Sequence, residues 1–396
     1  MGTSVGVGYS LSRNPQEAGR EAARKALEQQ GLSLPDFVFV FATVGYDQQL
    51  LIQAIRETTS GAPLSGCSGE GIITQAMVAE TNFGVCVMVI SSDEMRFDNV
   101  YVRDIGRGTD FAGERLAGEI KPLLKADTQA CFIFADGLFF DFDPFCRTFE
   151  TALGAEVHLP LFGGLAADNW TFGRTYQYHD DQVFSQGISS VLMSGPGMVA
   201  SGISHGCVPI GTRHTITRSK GNIIYEIDGI PALNALEDYV EDGWRDQWNK
   251  MSLNLCLGFK TPDTIKKEYG EYVVRYMIEK EDKEGYVKIQ SDVQDGNEFW
   301  IVRRDKELIR NGLQDISRQI MAKEGTGNPK FVLQFECMGR GKVVFREQEK
   351  TELIRSLQEQ IGGDVPWIGF YTYGEIGPVS GCNCFHNFTA VVAAIF

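Results

Sequence analysis

Residues Phe37–Phe41 form an unbroken apolar run. A strand of that kind has to be covered on both faces. The covering elements are legible beside it. Pro15–Gln30 sets Ala18, Ala22, Ala23, Ala26 and Leu27 at helical spacing, and Gln48–Thr58 reads as a second helix. The pattern returns downstream, where Cys131–Phe134 reads as a buried strand between a helix starting at Thr109 and another over Asp143–Leu153. Further strands are predicted at Val5–Tyr9, Phe83–Ile90 and Phe97–Val102. From Thr175 to Ile203 short strands follow one another with polar and glycine turns, which predicts an antiparallel sheet.

Gly206–Thr217, with Pro209 and Gly211, reads as a domain boundary, and beyond it the pattern starts again. Strands are predicted at Asn222–Ile227, Tyr272–Ile278, Glu298–Val302, Phe331–Phe335 and Phe388–Ile395. Helices are predicted at Pro231–Val240, Asp305–Ala322 and Glu347–Ile361. A chain of 396 residues exceeds one ordinary core. The expectation is therefore an α/β (mixed α+β) protein of two domains, residues 1–210 and 211–396, each a mixed sheet packed with helices. No short-period repeat is visible.

The net charge of −15 argues against nucleic acid as a partner, which would need a basic footprint. No window has the length of apolar residues needed for a membrane span. The N-terminus lacks the pattern of a secretory signal. Nine cysteines, an odd and scattered set, predict reduced thiols and a cytoplasmic protein. There is no P-loop lysine motif, no G-x-G-x-x-G between a strand and a helix, no H-E-x-x-H and no G-x-S-x-G.

Two runs carry a possible site. Gly369-Phe370-Tyr371-Thr372-Tyr373-Gly374-Glu375-Ile376-Gly377-Pro378 combines aromatics, glycines and one carboxylate. Pro63-Leu64-Ser65-Gly66-Cys67-Ser68-Gly69-Glu70-Gly71-Ile72 has the same grammar after an apolar strand. Glycines let backbone approach a guest, aromatics give a flat wall, and a lone carboxylate is costly to bury without a partner. The plainer reading is a pair of glycine-rich turns beside core strands.

Cys382, Cys384 and His386 would share one face of a strand, although zinc sites favour C-x2-C spacings and a fourth ligand. Small buried cysteines on a core strand is the competing reading. Cys67 with a distant histidine would make a nucleophilic pair, aided if the thiol stood at a helix start and opposed by Glu70 close by.

Taken together, the motifs resemble the FIST family of intracellular signal-transduction sensors over nearly the whole chain. Gly66–Gly71 is similar to the family's N-terminal signature, and Leu161-Phe162-Gly163-Gly164-Leu165-Ala166-Ala167-Asp168 to its central glycine pair with a following aspartate. His205-Gly206, Pro209-Ile210-Gly211 and Asp228-Gly229-Ile230-Pro231 resemble the segment that joins its two modules. Cys337-Met338-Gly339-Arg340, Tyr373–Pro378 and Phe385-His386-Asn387 resemble its C-terminal module.

The resemblance implies a FIST N-terminal domain, a FIST C-terminal domain and no catalysis. It implies a sensor of a small, amino acid-like ligand that regulates a partner such as a histidine kinase, a cyclic-di-GMP enzyme or a chemotaxis component. Chains of this kind carry no output module, so the signal is expected to leave through that partner. The site is expected at Gly66, Cys67, Ser68, Glu70, Gly163, Gly164, Asp168, Arg340, Tyr373, Gly374 and Glu375. Glu70, Asp168 and Glu375 would meet an ammonium or hydroxyl, or else pair with an arginine such as Arg340. One branch of stand-alone members binds haem and senses nitric oxide. On that reading haem b is the cofactor, with His179 as the iron ligand candidate and His205 as the alternative. The competing function is an enzyme with Cys67 as nucleophile in the same pocket.

Overall fold

The computed structural model describes residues 2–32, 34–240, 242–263, 265–322 and 327–396. They form two compact units. Unit 1 takes Met1–Ile203, Leu313–Phe385 and Thr389–Phe396, and unit 2 takes Ser204–Gly312 with His386–Phe388. The spatial division is thus not a single cut in the chain.

Unit 1 runs through one connectivity three times. The first pass is β1 (Thr3–Ser10), α1 (Pro15–Gln30), β2 (Phe37–Ala42), α2 (Gln48–Thr58), β3 (Leu64–Ser68), the hairpin β4 (Ile72–Thr74) and β5 (Val78–Ala79), and β6 (Val85–Ser92). The second is β7 (Arg96–Arg103), α3 (Thr109–Ile120), β8 (Thr128–Ala135), α4 (Phe142–Leu153), β9 (Leu161–Leu165), the hairpin β10 (Gln177–His179) and β11 (Gln182–Phe184), and β12 (Gly187–Ser194).

The third pass opens with β13 (Val199–Ser204), and the chain then leaves to build unit 2. That unit contains β14 (Cys207–Lys220), β15 (Ile223–Ile227), β16 (Ile230–Pro231), α5 (Ala232–Ala235), α6 (Trp248–Asn254), β17 (Cys256–Lys260) and α7 (Lys266–Tyr269). It is completed by β18 (Tyr272–Arg275), β19 (Met277–Glu281), β20 (Tyr286–Ile289) and β21 (Glu298–Arg304). The pass resumes with α8 (Lys306–Met321), β22 (Phe331–Cys337), α9 (Glu347–Gly362), β23 (Trp367–Thr372), the hairpin β24 (Glu375–Val379) and β25 (Cys382–His386), and β26 (Ala390–Ile395).

Among the described residues unit 1 has three six-stranded sheets, ordered β1-β6-β2-β3-β10-β11, β7-β12-β8-β9-β24-β25 and β13-β26-β22-β23-β4-β5. The central pairs β2–β3, β8–β9 and β22–β23 are parallel, as strand–helix–strand crossovers require. Each pass gives its hairpin away. The β4–β5 hairpin adds to β23, β10–β11 to β3, and β24–β25 to β9, all antiparallel. The three passes are therefore laced into a closed ring.

Two sequence features repeat with the topology. The inner strands turn phenylalanines to a shared core: Phe39 and Phe41 from β2, Phe132 and Phe134 from β8, Phe335 from β22 and Phe370 from β23. Phe41 lies 5.2 Å from Phe134 and 4.5 Å from Phe370, and Phe134 lies 6.3 Å from Phe335 between ring centroids. Edge and offset contacts of this kind add to the burial of large apolar surface. The second feature is a glycine in the middle of each third strand. Gly66, Gly163 and Gly369 stand opposite Val40, Ile133 and Gln334. A Cβ there would lie 1.8, 1.9 and 2.3 Å from the carbonyl oxygen of that partner.

The border between the two units falls at Ile203/Ser204, and from Cys207 the segment Gly206–Thr217 runs as the long strand β14, where a register shift between Ile210 and Arg213 takes up the glycine. Two expectations need correction. The strands of Thr175–Ile203 pair antiparallel but do not make one sheet. The β10–β11 hairpin joins β3, β12 lies between β7 and β8, and β13 lies beside β26. The helix predicted over Pro231–Val240 is one α-turn pair, Ala232–Ala235, followed by a 3₁₀ turn. Among the described residues no helix is long and apolar enough to cross a membrane.

Candidate functional site

In parallel sheets the loops at the carboxyl ends of the strands are the usual place for a ligand. At the carboxyl end of β22–β23 two borrowed segments arrive. The turn after β3 is pinned by Glu70 N donating to Tyr371 O (2.9 Å) and Tyr371 N donating to Gly71 O (3.1 Å). The residue after β5, Glu80, enters with its hairpin.

Glu70 is fully buried. Its Oε1 accepts from Lys342 Nζ at 3.0 Å, and its Oε2 is buried with no hydrogen-bond partner among the described residues. Glu80 Oε2 accepts from Lys350 Nζ (2.9 Å) and from the Lys342 backbone N (2.6 Å), while Oε1 has no hydrogen-bond partner among the described residues. Lys350 comes from α9, is itself fully buried, and also reaches Glu347 Oε2 at 2.9 Å. Its ammonium stands 5.7 Å from the ring centroid of Tyr371, whose buried hydroxyl has no hydrogen-bond partner among the described residues. Gly341 fits closely here, because a Cβ would lie 2.3 Å from Glu80 Oε1.

Burial is the main electrostatic force on this cluster. It pushes Glu70 up to about 7 against the pull of Lys342, and raises Glu80 against the pull of Lys350. Glu70 also feels the charges of Glu80 and Asp168. A carboxyl poised near neutrality beside a lysine suits recognition of a cationic or hydrogen-bonding group.

The neighbouring loop is ordered by Asp168. Its carboxylate accepts from Tyr373 OH (2.6 Å), Thr171 Oγ1 (2.7 Å) and the backbone N of Phe172, Gly173 and Arg174. Burial opposes its charge, and these donors, Tyr373 foremost, outweigh burial and hold the carboxyl below its usual value. Asn169, Trp170 and Phe172 all adopt positive φ of 56°, 65° and 47°. Three such non-glycine residues in one short loop are strained, and strain of this kind concentrates at functional sites. Trp170 N donates to Tyr373 OH, and its indole Nε1 is buried without a hydrogen-bond partner among the described residues.

The expected site residues separate into groups. Glu70, Asp168 and Tyr373 come together, since both carboxyls act on the Tyr373 hydroxyl. Gly66, Cys67 and Ser68 lie within β3, with Ser68 Oγ donating to Ala167 O at 2.8 Å. Gly163 and Gly164 lie within β9, and Gly374 O accepts from Leu165 N in the turn before β24. Arg340 Nε donates to Glu336 Oε1 at 2.7 Å, with both side chains buried. Glu375 is buried, and its oxygens accept from Thr372 Oγ1, Thr389 Oγ1 and Thr389 N.

Cys67 stands in mid-strand rather than at a helix start, and burial pushes its thiol well above the usual range. Glu80, Lys342, Lys350 and Trp170 escaped sequence reading. The alternation Gly339-Arg340-Gly341-Lys342 straight after an apolar strand was the available signal.

The histidines are scattered. His205 Nδ1 accepts from Cys207 N at 2.9 Å. His386 is buried, with Nδ1 3.2 Å from Tyr269 OH. His179 is 8% exposed, its ring centroid lies 4.4 Å from that of Tyr101, and its Nδ1 is buried without a hydrogen-bond partner among the described residues. Burial, with help from Arg103 and Arg56, holds its imidazole toward the neutral form against the charge of Asp180. The recess beside it, about 440 Å³, offers Val100 and Tyr101 as apolar wall and otherwise Asn99, Arg103, Asp104, Arg115 and Glu119, a lining poor in the apolar surface that porphyrin faces need. Among the described residues no three His, Cys, Asp or Glu side chains are grouped to hold a metal ion.

Comparison with known proteins supports the two-module reading. Residues 36–230 match the FIST N domain and residues 232–378 the FIST C domain. The uncharacterized protein Rv0628c of Mycobacterium tuberculosis (strain ATCC 25618 / H37Rv) is 27% identical over 395 residues, covering 98% of each chain. The uncharacterized protein MJ1623 of Methanocaldococcus jannaschii is 22% identical over 416 residues, covering 97% of this chain and 77% of the relative. Among solved structures, a chorismatase aligns over 100% of this chain and 99% of its own at a TM-score of 0.37 and 9% identity. A cyanuric acid hydrolase from A. caulinodans gives a TM-score of 0.37 at 10% identity, over 100% of this chain and 99% of its own.

Proposed function

Since the chain belongs to the FIST family, carrying its N domain and then its C domain, we propose that it senses a small ammonium-bearing molecule and passes that state to a signalling partner. Domains of this family are associated with small-molecule sensing and signal transduction and are typically non-catalytic. The ligand's place is carried by one observation: buried Glu70 keeps one oxygen on Lys342 and the other bare. A ligand ammonium satisfies that oxygen. The bare Oε1 of Glu80 is a second acceptor, and the indole Nε1 of Trp170 is a donor for a carboxylate on the same molecule. An amino acid-like ligand has that set of groups. The partner is a histidine kinase, a cyclic-di-GMP enzyme or a chemotaxis component, and the ligand acts by preferring one conformation over another.

Two narrower readings have less support. A haem-based nitric oxide sensor rests on the single nitrogen of His179. An enzyme using Cys67 as nucleophile is opposed by the thiol's burial, which keeps it protonated.

A thermal-shift screen of amino acids and simple amines tests the proposal. A ligand at about a hundredfold over its Kd stabilises by about 2.7 kcal/mol, a rise of several degrees. Glu70→Gln should weaken that ligand at least about tenfold. A screen without a saturable hit, or a Glu70→Gln variant that binds as well as the parent, rules the placement out.

A further inference from the structure

The recess at His179 lies outside the Glu70 cluster and has its own unmet chemistry. Its floor is the hairpin strand β10, where His179 pairs with Ser65 of β3 on one side and Gln182 of β11 on the other. Its wall is the end of β7 and the outer face of α3, which bring Asn99, Tyr101, Arg103, Asp104, Arg115 and Glu119 around about 440 Å³. The recess is thus built across two sheets, by a hairpin that one pass of the fold lends to another.

Three observations point to a ligand. The Nδ1 of His179 is buried with no hydrogen-bond partner among the described residues, in a residue only 8% exposed whose Nε2 stands 3.8 Å from Asp180 Oδ2. A buried polar atom of that kind costs stability unless something bonds to it. Arg103 is oriented without an acid. Its guanidinium lies over the rings of Tyr101 (5.4 Å) and Phe184 (4.9 Å) and donates to Gln182 Oε1. Arg115 lies over Phe111 at 5.6 Å, and among the described residues no carboxylate pairs with either arginine. Two stacked, unpaired guanidiniums keep planar donor edges for an oxyanion.

We infer that this recess is a second ligand site, for a small molecule whose anionic head, a phosphate or carboxylate, meets Arg103 and Arg115 while a polar group bonds His179 Nδ1. Asp104 and Glu119 on the rim disfavour a bare polyanion and select a ligand whose negative charge is confined to one end. The lining favours a small polar molecule over a porphyrin.

The test uses the full chain labelled with 15N-histidine, whose five histidines are separable by long-range 1H–15N spectra. Inorganic phosphate and then acetate are titrated at constant ionic strength. The expected result is a saturable shift of the His179 ring with the other four unmoved, and a Kd raised at least about tenfold in Arg115→Met. Phosphate alone saturating identifies a phosphate site, acetate alone a carboxylate site, and either supports the inference. Glu70→Gln should titrate like the parent, so failure of the ammonium site and failure of this one are separately visible. Three results would overturn the inference: no saturable His179 shift, an Arg115→Met variant that titrates unchanged, or a Soret band on adding hemin that disappears in His179→Ala.

Discussion

Lys350→Met should cost about 3–5 kcal/mol of stability, the range for breaking a buried ion pair from one side. Lys350 is fully buried, and its partner Glu80 has a side chain only 1% exposed. Removing the ammonium leaves a buried carboxyl with one backbone donor, Lys342 N, and one bare oxygen. Burial already raises the Glu80 carboxyl against the pull of Lys350. Without that pull burial drives the carboxyl further up, and the loss is the cost of a buried carboxyl without its charge partner. The melting temperature should fall by on the order of 5–10 °C in a unit of this size. Adding Glu80→Gln should return part of the loss, because the two positions act as a pair. Chemical denaturation of the four proteins measures the coupling. A single variant within about 0.5 kcal/mol of the parent would mean that water reaches the pair.

Raising the pH from about 4.5 to about 8 should destabilise the protein, and Glu375→Gln should remove much of that slope. Burial pushes Glu375 up to about 8 despite the donors Thr372 and Thr389, with the charge of Glu336 adding to the rise. Below the unfolded value near 4.5 both states are protonated and the group contributes no slope. Above it the unfolded chain releases a proton that the folded chain keeps, so stability falls by up to about 1.4 kcal/mol per pH unit. The decline ends near pH 8, when the folded protein also ionises, after a total of roughly 5 kcal/mol. Glu70 adds a slope of the same sign up to about 7. Asp168, held below its usual value, acts in the opposite sense and only at lower pH.

A glutamine at 375 can keep its oxygen on Thr389 N and Oγ1 and turn its amide toward Thr372 Oγ1, which lies 2.5 Å from Glu375 Oε1. It should therefore be more stable than the parent at pH 8 and nearly equal at pH 5. Melting curves of both proteins across that range decide the matter. Parallel curves would show that Glu375 is ionised throughout.

Much of the secondary structure could be read directly. The helices Pro15–Gln30 and Gln48–Thr58 have the predicted bounds, and the apolar run at Phe37 is a wholly buried central strand. Their signals are local, a 3.6-residue apolar period in the helices and an unbroken apolar run in the strand. The hairpins β4–β5 and β24–β25 were not legible, because two- to five-residue strands carry too few residues for a period. The glycine runs did mark places where backbone comes close, but for Gly66 and Gly163 the close neighbour is the adjoining strand rather than a ligand. Of the acids singled out, Glu70 alone is left with a bare oxygen among the described residues; its partner Lys342 was signalled only by the alternation Gly339-Arg340-Gly341-Lys342, and the nearby Glu80 by no motif.

The sequence by itself determined which segments are buried strands and which are covering helices, since each follows from the apolar pattern of its own few residues. It also placed the two glycine-and-glutamate turns and gave the family. The tertiary structure alone decided that three passes of one connectivity close into a ring by lending hairpins. It alone set Glu70 beside Lys342 and His179 beside Arg103. Pairings across 272 and 76 residues depend on which strand edges meet, and a strand edge presents only backbone groups, which are the same for nearly every sequence.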